Sequence, residues 1–129
     1  MGTKEQIDYW IKASELDFIS STEIFNSGKN FHYSLFIAHL CIEKLLKAFA
    51  TKELEQIPPK THNLLRLAEI SNLSLNEEYL EFFEELNQFQ LQTRYPDEKF
   101  NLYKKADYEF TKVRIEKLKE VYEWLKSKL

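Results

Sequence analysis

An all-α fold, built as a compact antiparallel helical bundle, is what this sequence predicts, and three observations predict it. Apolar residues recur at threes and fours through five successive stretches, the spacing that gathers them on one face of a helix. Glycine and proline together number five in 129 residues, too few turn formers for a chain of short strands. Hydrophobic residues make up 43% and charged residues 30%, the balance of a folded domain rather than a disordered one. The length suits one domain spanning residues 1–129, with ten Phe and seven Tyr supplying much of its core volume.

The first helix is expected from about Lys4 to Asn26, with Ile7, Trp10, Ile11, Phe18 and Phe25 on its apolar stripe. Thr3 with Gln6 three residues on has the form of a capping box, and Ser27-Gly28 supplies a left-handed stop. The second, about Phe31 to Leu54, is apolar around most of its circumference, as a helix packed on several sides must be. Ile57-Pro58-Pro59 halts it and stiffens the connector. A short third helix, about His62 to Ile70, is expected to take its cap from Thr61.

Ser74 with Glu77 signals the start of a fourth helix, about Leu75 to Thr93, carrying Tyr79, Phe82, Phe83, Leu86 and Phe89. Pro96 stops it near Tyr95. A polar loop over Asp97 to Asn101 then leads to a last helix from about Tyr103 to Lys128. That gives four main helices and one short one, with Tyr79, Phe82 and Phe83 available either to the core or to an aromatic interface.

Net charge is −3 and the sequence pI about 5.7, which argues against a broad basic face for duplex nucleic acid but leaves room for a local phosphate site. The single cysteine, Cys41, cannot form an internal disulfide and, set in an apolar run, is expected to be an inert core thiol. MGTKEQID lacks the apolar core of a signal peptide and no stretch is long enough to span a bilayer, so the expected location is the cytoplasm.

Three polar features stand out. His32, His39, Glu43 and Lys47 fall seven, four and four residues apart, and so on one face of the second helix. This stripe is either the helix's solvent face or the lining of a groove that takes a nucleotide or partner domain. A His39–Glu43 hydrogen bond in it would favour the protonated imidazole. Arg94-Tyr95-Pro96-Asp97 places an arginine and a tyrosine at a helix end. There Arg94 can serve the negative helix terminus or act as a phosphate fork, with the Tyr95 ring beside it for base or ribose. His62, just after Pro58-Pro59-Lys60-Thr61, is either structural or a wall of the same groove.

Other chemistry finds little support. Three histidines and one cysteine offer no zinc spacing, two glycines cannot build a phosphate cradle, and no nucleophile and base pair up by spacing. Neither metal nor cofactor is expected, and no catalytic residue is assigned.

Tyr9-Trp10-Ile11-Lys12-Ala13 with Asp17, the run from Ala38 to Ala48, Thr61-His62-Asn63-Leu64 and Thr93-Arg94-Tyr95-Pro96-Asp97 together resemble the HEPN domain, the higher eukaryote and prokaryote nucleotide-binding family. The resemblance spans about Gln6 to Leu125. It implies an up-and-down bundle, often dimeric, and a nucleotide- or RNA-binding module that pairs in some members with a minimal nucleotidyltransferase in toxin–antitoxin operons. It also implies a site at Arg94, Tyr95, Asp97, His39, Glu43, Lys47 and His62. The family's metal-independent ribonucleases carry an arginine followed after four to six residues by histidine. Here those positions after Arg94 hold Lys99, Phe100 and Asn101, so the motif is absent. Two alternatives remain: a divergent ribonuclease using Arg94 with His39 or His62, and a purely structural dimerisation module.

Overall fold

The computed structural model describes residues 2–129 and contains six helices among them: α1 (Thr3–Asn26), α2 (Phe31–Leu54), α3 (Leu64–Ile70), α4 (Glu77–Gln92), α5 (Pro96–Lys105) and α6 (Tyr108–Ser127). The fold is the expected all-α bundle: α1, α2, α4 and α6 are its long helices, with α3 and α5 as short connecting ones. α2 packs against each of the other five. Its Leu35, Ala38, Cys41, Ile42, Leu45, Leu46 and Phe49 are buried on several sides, which is why the sequence shows no broad polar face there. Leu64, Leu67, Phe83, Leu86, Leu118 and Leu125 close one continuous core around it.

α1 reaches that core differently. It packs chiefly on α2, and its fully buried residues are two serines, Ser14 and Ser21. Ser21 Oγ donates to the Ser34 carbonyl and Ser34 Oγ to the Ser21 carbonyl, each at 2.8 Å. The pair satisfies both hydroxyls and lets the backbones approach closely. Lys44 Nζ meets Asp17 Oδ2 at 2.7 Å along the same seam.

Several boundaries correct the sequence reading. α1 begins at Thr3 itself, with Gly2 as N-cap and no side-chain cap, so the Thr3–Gln6 capping box does not form. α3 starts two residues late because Asn63, rather than Thr61, accepts from Leu65 N and Arg66 N. Asn76, rather than Ser74, caps α4 through Tyr79 N at 2.8 Å. In each case the asparagine competes as well for a cap as the hydroxyl residue chosen, and lies nearer the packed turn. Gly28 takes the expected left-handed turn, with φ of 79°.

The largest difference is α5. The segment read as a polar loop is a helix: Pro96 follows the end of α4, as expected, with Tyr95 extended before it, and at the same time is preset for the helical φ of α5's first position. Asp97 and Glu98 favour the first turn and Lys104 and Lys105 the last, while the buried Leu102 anchors it on the core. The last helix therefore starts at Tyr108, capped by Asp107, whose carboxylate accepts from Phe110 N at 2.9 Å. Tyr79, Phe82 and Phe83 are all buried, so they belong to the core and not to a surface interface. No helix among the described residues is long and apolar enough to cross a membrane.

The Ser21–Ser34 seam has no room for a larger side chain. Ser21→Leu is expected to cost about 2 kcal/mol through overpacking and a lost hydrogen bond. A urea unfolding curve measures this, and a midpoint equal to wild type would show that α1 is not held in this way.

Candidate functional site

A carboxylate buried on α2 organises the polar residues of the site. Glu43 is all but enclosed, an unfavourable position for a charge unless it is paired and hydrogen-bonded. Lys47 Nζ donates to its Oε2 at 3.0 Å, one helical turn away. His62 Nδ1 donates to its Oε1 at 2.9 Å from the connector ahead of α3. Lys47 also sits 5.3 Å from the centre of the Trp10 ring, so α1 covers the outer side of the pair.

His39 is fully buried and makes a different set of contacts from those expected. Its Nε2 donates to the His62 carbonyl at 2.9 Å and lies 3.3 Å from Asn87 Oδ1. A carbonyl only accepts, so Nε2 carries the proton and Nδ1 is left without a partner, 3.7 Å from Glu43 Oε1. Burial lowers the His39 pKa from 6.5, and the opposing influence of Glu43 does not overcome it. The expected His39–Glu43 hydrogen bond and protonated imidazole are therefore corrected: desolvation prevails and the ring is neutral. The stripe is also no solvent face, since His32, His39, Glu43 and Lys47 are all buried.

Asn87 ties this network to α4. Its Oδ1 accepts from Leu64 N at 3.0 Å, and its Nδ2 donates to Asn63 Oδ1 at 3.0 Å. The α3 cap, the His39 ring and α4 thus share one amide. Beyond it opens a cleft of ≈ 400 Å³ whose polar lining includes His62, Asn63, Glu84, Asn87, Gln90 and Arg94. The His62 side chain is 52% exposed, held at Nδ1 by Glu43 and open elsewhere. Arg94 lies at the turn following α4; with the Gln90 amide oxygen toward it, Nε and Nη2 donate at 3.1 and 3.0 Å. That fixes the guanidinium's orientation and leaves three of its five N–H donors for other partners.

The structure thus gathers His39, Glu43, Lys47 and His62 into one network and sets Arg94 on the cleft that His62 also lines. Tyr95 and Asp97 are exposed in the N-cap and first turn of α5 and do not line this cleft. His32 stands apart from the other stripe residues, packed against Tyr33 and Tyr103 at the far end of α2. Asn63, Asn87 and Gln90 were not singled out from sequence. The signal was present for two of them, because Asn87, Gln90 and Arg94 recur at three and four on α4's helical face. Cys41 fits the inert reading: burial pushes its thiol pKa well above the usual range. Among the described residues no group of three or more His, Cys, Asp and Glu side chains could hold a metal ion.

A six-helix bundle with a hydrogen-bonded carboxylate beneath an arginine-lined cleft defines the class: a helical domain presenting a compact polar site. The HEPN domain model matches residues 7–128, nearly the full length, and the chain belongs to the HEPN domain family. Its fold is similar to the crystal structure of TT1696 from Thermus thermophilus, with a TM-score of 0.79 and 16% identity over 96% of this chain and 98% of that one. No curated protein matches the chain.

Two outcomes follow from the network. Glu43→Ala leaves Lys47 buried without its partner and is expected to cost about 3 kcal/mol in urea unfolding, whereas an isolated surface pair would cost about 0–1 kcal/mol. For His39 the folded pKa lies below 6.5 while the unfolded chain titrates near 6.5, so on acidification the unfolded state takes up the proton first. Stability is therefore full above about pH 6.5, falls as pH drops through that value, and levels off below the folded pKa. His32, also lowered mainly by burial, acts in the same direction. Thermal unfolding between pH 8 and 5 checks this, and His39→Gln should flatten the profile.

Proposed function

We propose that this chain is a binding module whose cleft between the His62 connector and Arg94 takes the phosphate of a nucleotide or of single-stranded RNA. The observation that carries the reading is the Arg94 guanidinium, oriented by Gln90 with donors to spare, on a cleft it shares with half-exposed His62. An arginine held in this way suits the bidentate geometry of phosphate, and the amide N–H groups of Asn63 and Asn87 that the network does not use offer donors to a base edge. Glu84 on the rim repels a second phosphate and favours a ligand with one phosphate near Arg94. Tyr95 and Asp97, next to Arg94 in the chain but outside the cleft, would meet only the part of a ligand that extends beyond it.

The family adds the rest of the proposal: a minimal nucleotidyltransferase as protein partner in a toxin–antitoxin-type system, and a homodimer. The uncovered side of α1 supports a second copy. Tyr9, Leu16 and Ile19 are each at least half exposed there, on a helix whose other neighbours are few.

A second reading is favoured by one observation. With Nδ1 donating to Glu43, a neutral His62 keeps Nε2 as an acceptor, the arrangement of a general base oriented by a carboxylate. In this divergent ribonuclease His62 would take the nucleophile's proton and Arg94 would stabilise the phosphorane. His39, fully buried, has no access to substrate and leaves this role to His62.

Labelled single-stranded RNA and nucleotides, followed by anisotropy and strand length in chelator, separate the readings. Arg94→Ala is expected to weaken binding about tenfold or more, the loss of a charge-assisted hydrogen bond worth about 1.5–3 kcal/mol. Undiminished affinity would remove the site from Arg94. Cleavage by wild type that His62→Gln abolishes would establish the ribonuclease instead.

A further inference from the structure

One end of the bundle carries rings and lysines that the cleft does not use. On α5, Phe100 and Tyr103 are 55% and 56% exposed, their rings within 11° of parallel and 6.2 Å apart. Tyr103 meets His32 of α2 along one edge, yet both rings leave more than half of their surface to solvent, although Leu102 between them is buried. Tyr33 at the start of α2, Tyr108 at the start of α6 and Tyr95 at the α5 N-cap are exposed as well. Rings so placed exclude little water from the core and contribute correspondingly little to folding.

Four lysines at this end have rings and no carboxylate as partners, as Lys128 has with Trp124. Lys12, Lys44, Lys47, Lys117 and Lys126 are each paired with a carboxylate. Lys99, Lys104, Lys105 and Lys112 lie instead over the rings of Tyr33, Phe100, Phe110 and Tyr108, at 4.6, 4.5, 5.3 and 5.9 Å from the centroids. Lys99 also donates to the Tyr33 hydroxyl. Their charges are thus held near aromatic faces without being neutralised. The nearby acids are Asp97 and Glu98 in the first turn of α5, Asp107, which is engaged in capping α6, and Glu109 in the first turn of α6, none of them ion-paired with these lysines.

Two troughs run between these groups and share His32 and Tyr103 as a common wall. One, of ≈ 530 Å³, is lined by His32, Pro96, Lys99, Phe100 and Tyr103. The other, of ≈ 360 Å³, includes Lys29, Phe31 and Lys104. His32 is 5% exposed and its Nδ1 has no partner, an unmet hydrogen-bonding capacity under the Tyr103 ring, which meets it edge-on at 84°.

We propose that this face is a stacking platform for the bases of single-stranded nucleic acid, with Phe100, Tyr103 and Tyr33 taking base faces and Lys99 and Lys104 the flanking phosphates. Exposed rings alternating with unneutralised lysines are what a single strand requires, since every base has a π-face and every linkage a charge. A duplex, its bases already stacked, gains nothing from the rings. The platform begins at Pro96, two residues after Arg94, with exposed Tyr95 between them, so one strand can run from the cleft onto α5. In this respect the inference rests on the RNA-binding reading above and extends it to a second subsite.

The test uses the full chain and a labelled single strand of about twelve nucleotides, within the span known for such surfaces, carrying 2-aminopurine at its centre. The matched duplex is the control. Wild type is expected to bind the single strand at least tenfold more tightly than the duplex, with a change in 2-aminopurine emission that reports stacking. Phe100→Ala/Tyr103→Ala should weaken the single strand about thirtyfold or more and abolish the emission change, as expected for loss of two stacking partners. Lys99→Ala/Lys104→Ala should lower the slope of log K against log salt by roughly 1.4, two phosphate contacts on a single strand. All four residues are at the surface, and circular dichroism confirms the fold of each variant.

Wild-type affinity and emission in the ring variant would overturn the platform. If Arg94→Ala also loses the strand in that case, the cleft reading stands alone. If the ring variant loses it and Arg94→Ala does not, the platform stands and the cleft reading fails. No single-strand binding by wild type, together with a dimer that the ring variant dissociates, would overturn the platform and make this face a contact between copies.

Discussion

A buried carboxylate must be answered by its surroundings, and Glu43 imposes that demand on three segments at once. It takes one partner from its own helix, Lys47, and one from the connector ahead of α3, His62. Trp10 of α1 closes over Lys47. Because removing any partner would leave a charge or a donor stranded in a region of low dielectric, the connector cannot wander although it contains two prolines and no helix. The position of His62 at the cleft follows from the position of Glu43 in the core.

A second set of contacts transmits that placement to α4. His39, one turn before Glu43, holds the His62 carbonyl, and Asn87 joins the His39 ring to the cap of α3. The same face of α4 continues through Gln90 to Arg94. Histidine and amide are thus positioned by hydrogen bonds that begin in the interior, and one turn further along α4 the Gln90 amide orients Arg94 at solvent. Precision at the surface is obtained from rigidity beneath it.

The two regions proposed to bind ligand are chemically unlike. The cleft is lined with amides and one oriented guanidinium, suited to reading a single nucleotide unit. The far side of Pro96 is aromatic and cationic, suited to sequence-tolerant contact with an extended strand. Pro96 joins them by starting α5 immediately after the turn that carries Arg94, so the two regions are consecutive in the chain.

Much of this was legible in the order of residues. Helical periodicity gave α1, α2, α4 and all of α6, though it ran the last back into α5, because burying an apolar face leaves a repeat of three and four that needs no tertiary information to recognise. The central place of α2 was readable from its nearly continuous apolar circumference, and the HEPN family from four short motifs in sequence. What the tertiary structure alone decided was which competing local signal prevailed and which surfaces met. Asn63 and Asn76 took the caps from Thr61 and Ser74, Pro96 began a helix as well as following the end of one, and desolvation kept His39 neutral despite Glu43. Each of these outcomes depends on contacts across tens of residues, such as His39 with Asn87 or Leu102 with the core. Spacing along the chain fixes which residues share a face; only packing fixes what that face is pressed against, and hence which charges survive and which side chains reach solvent.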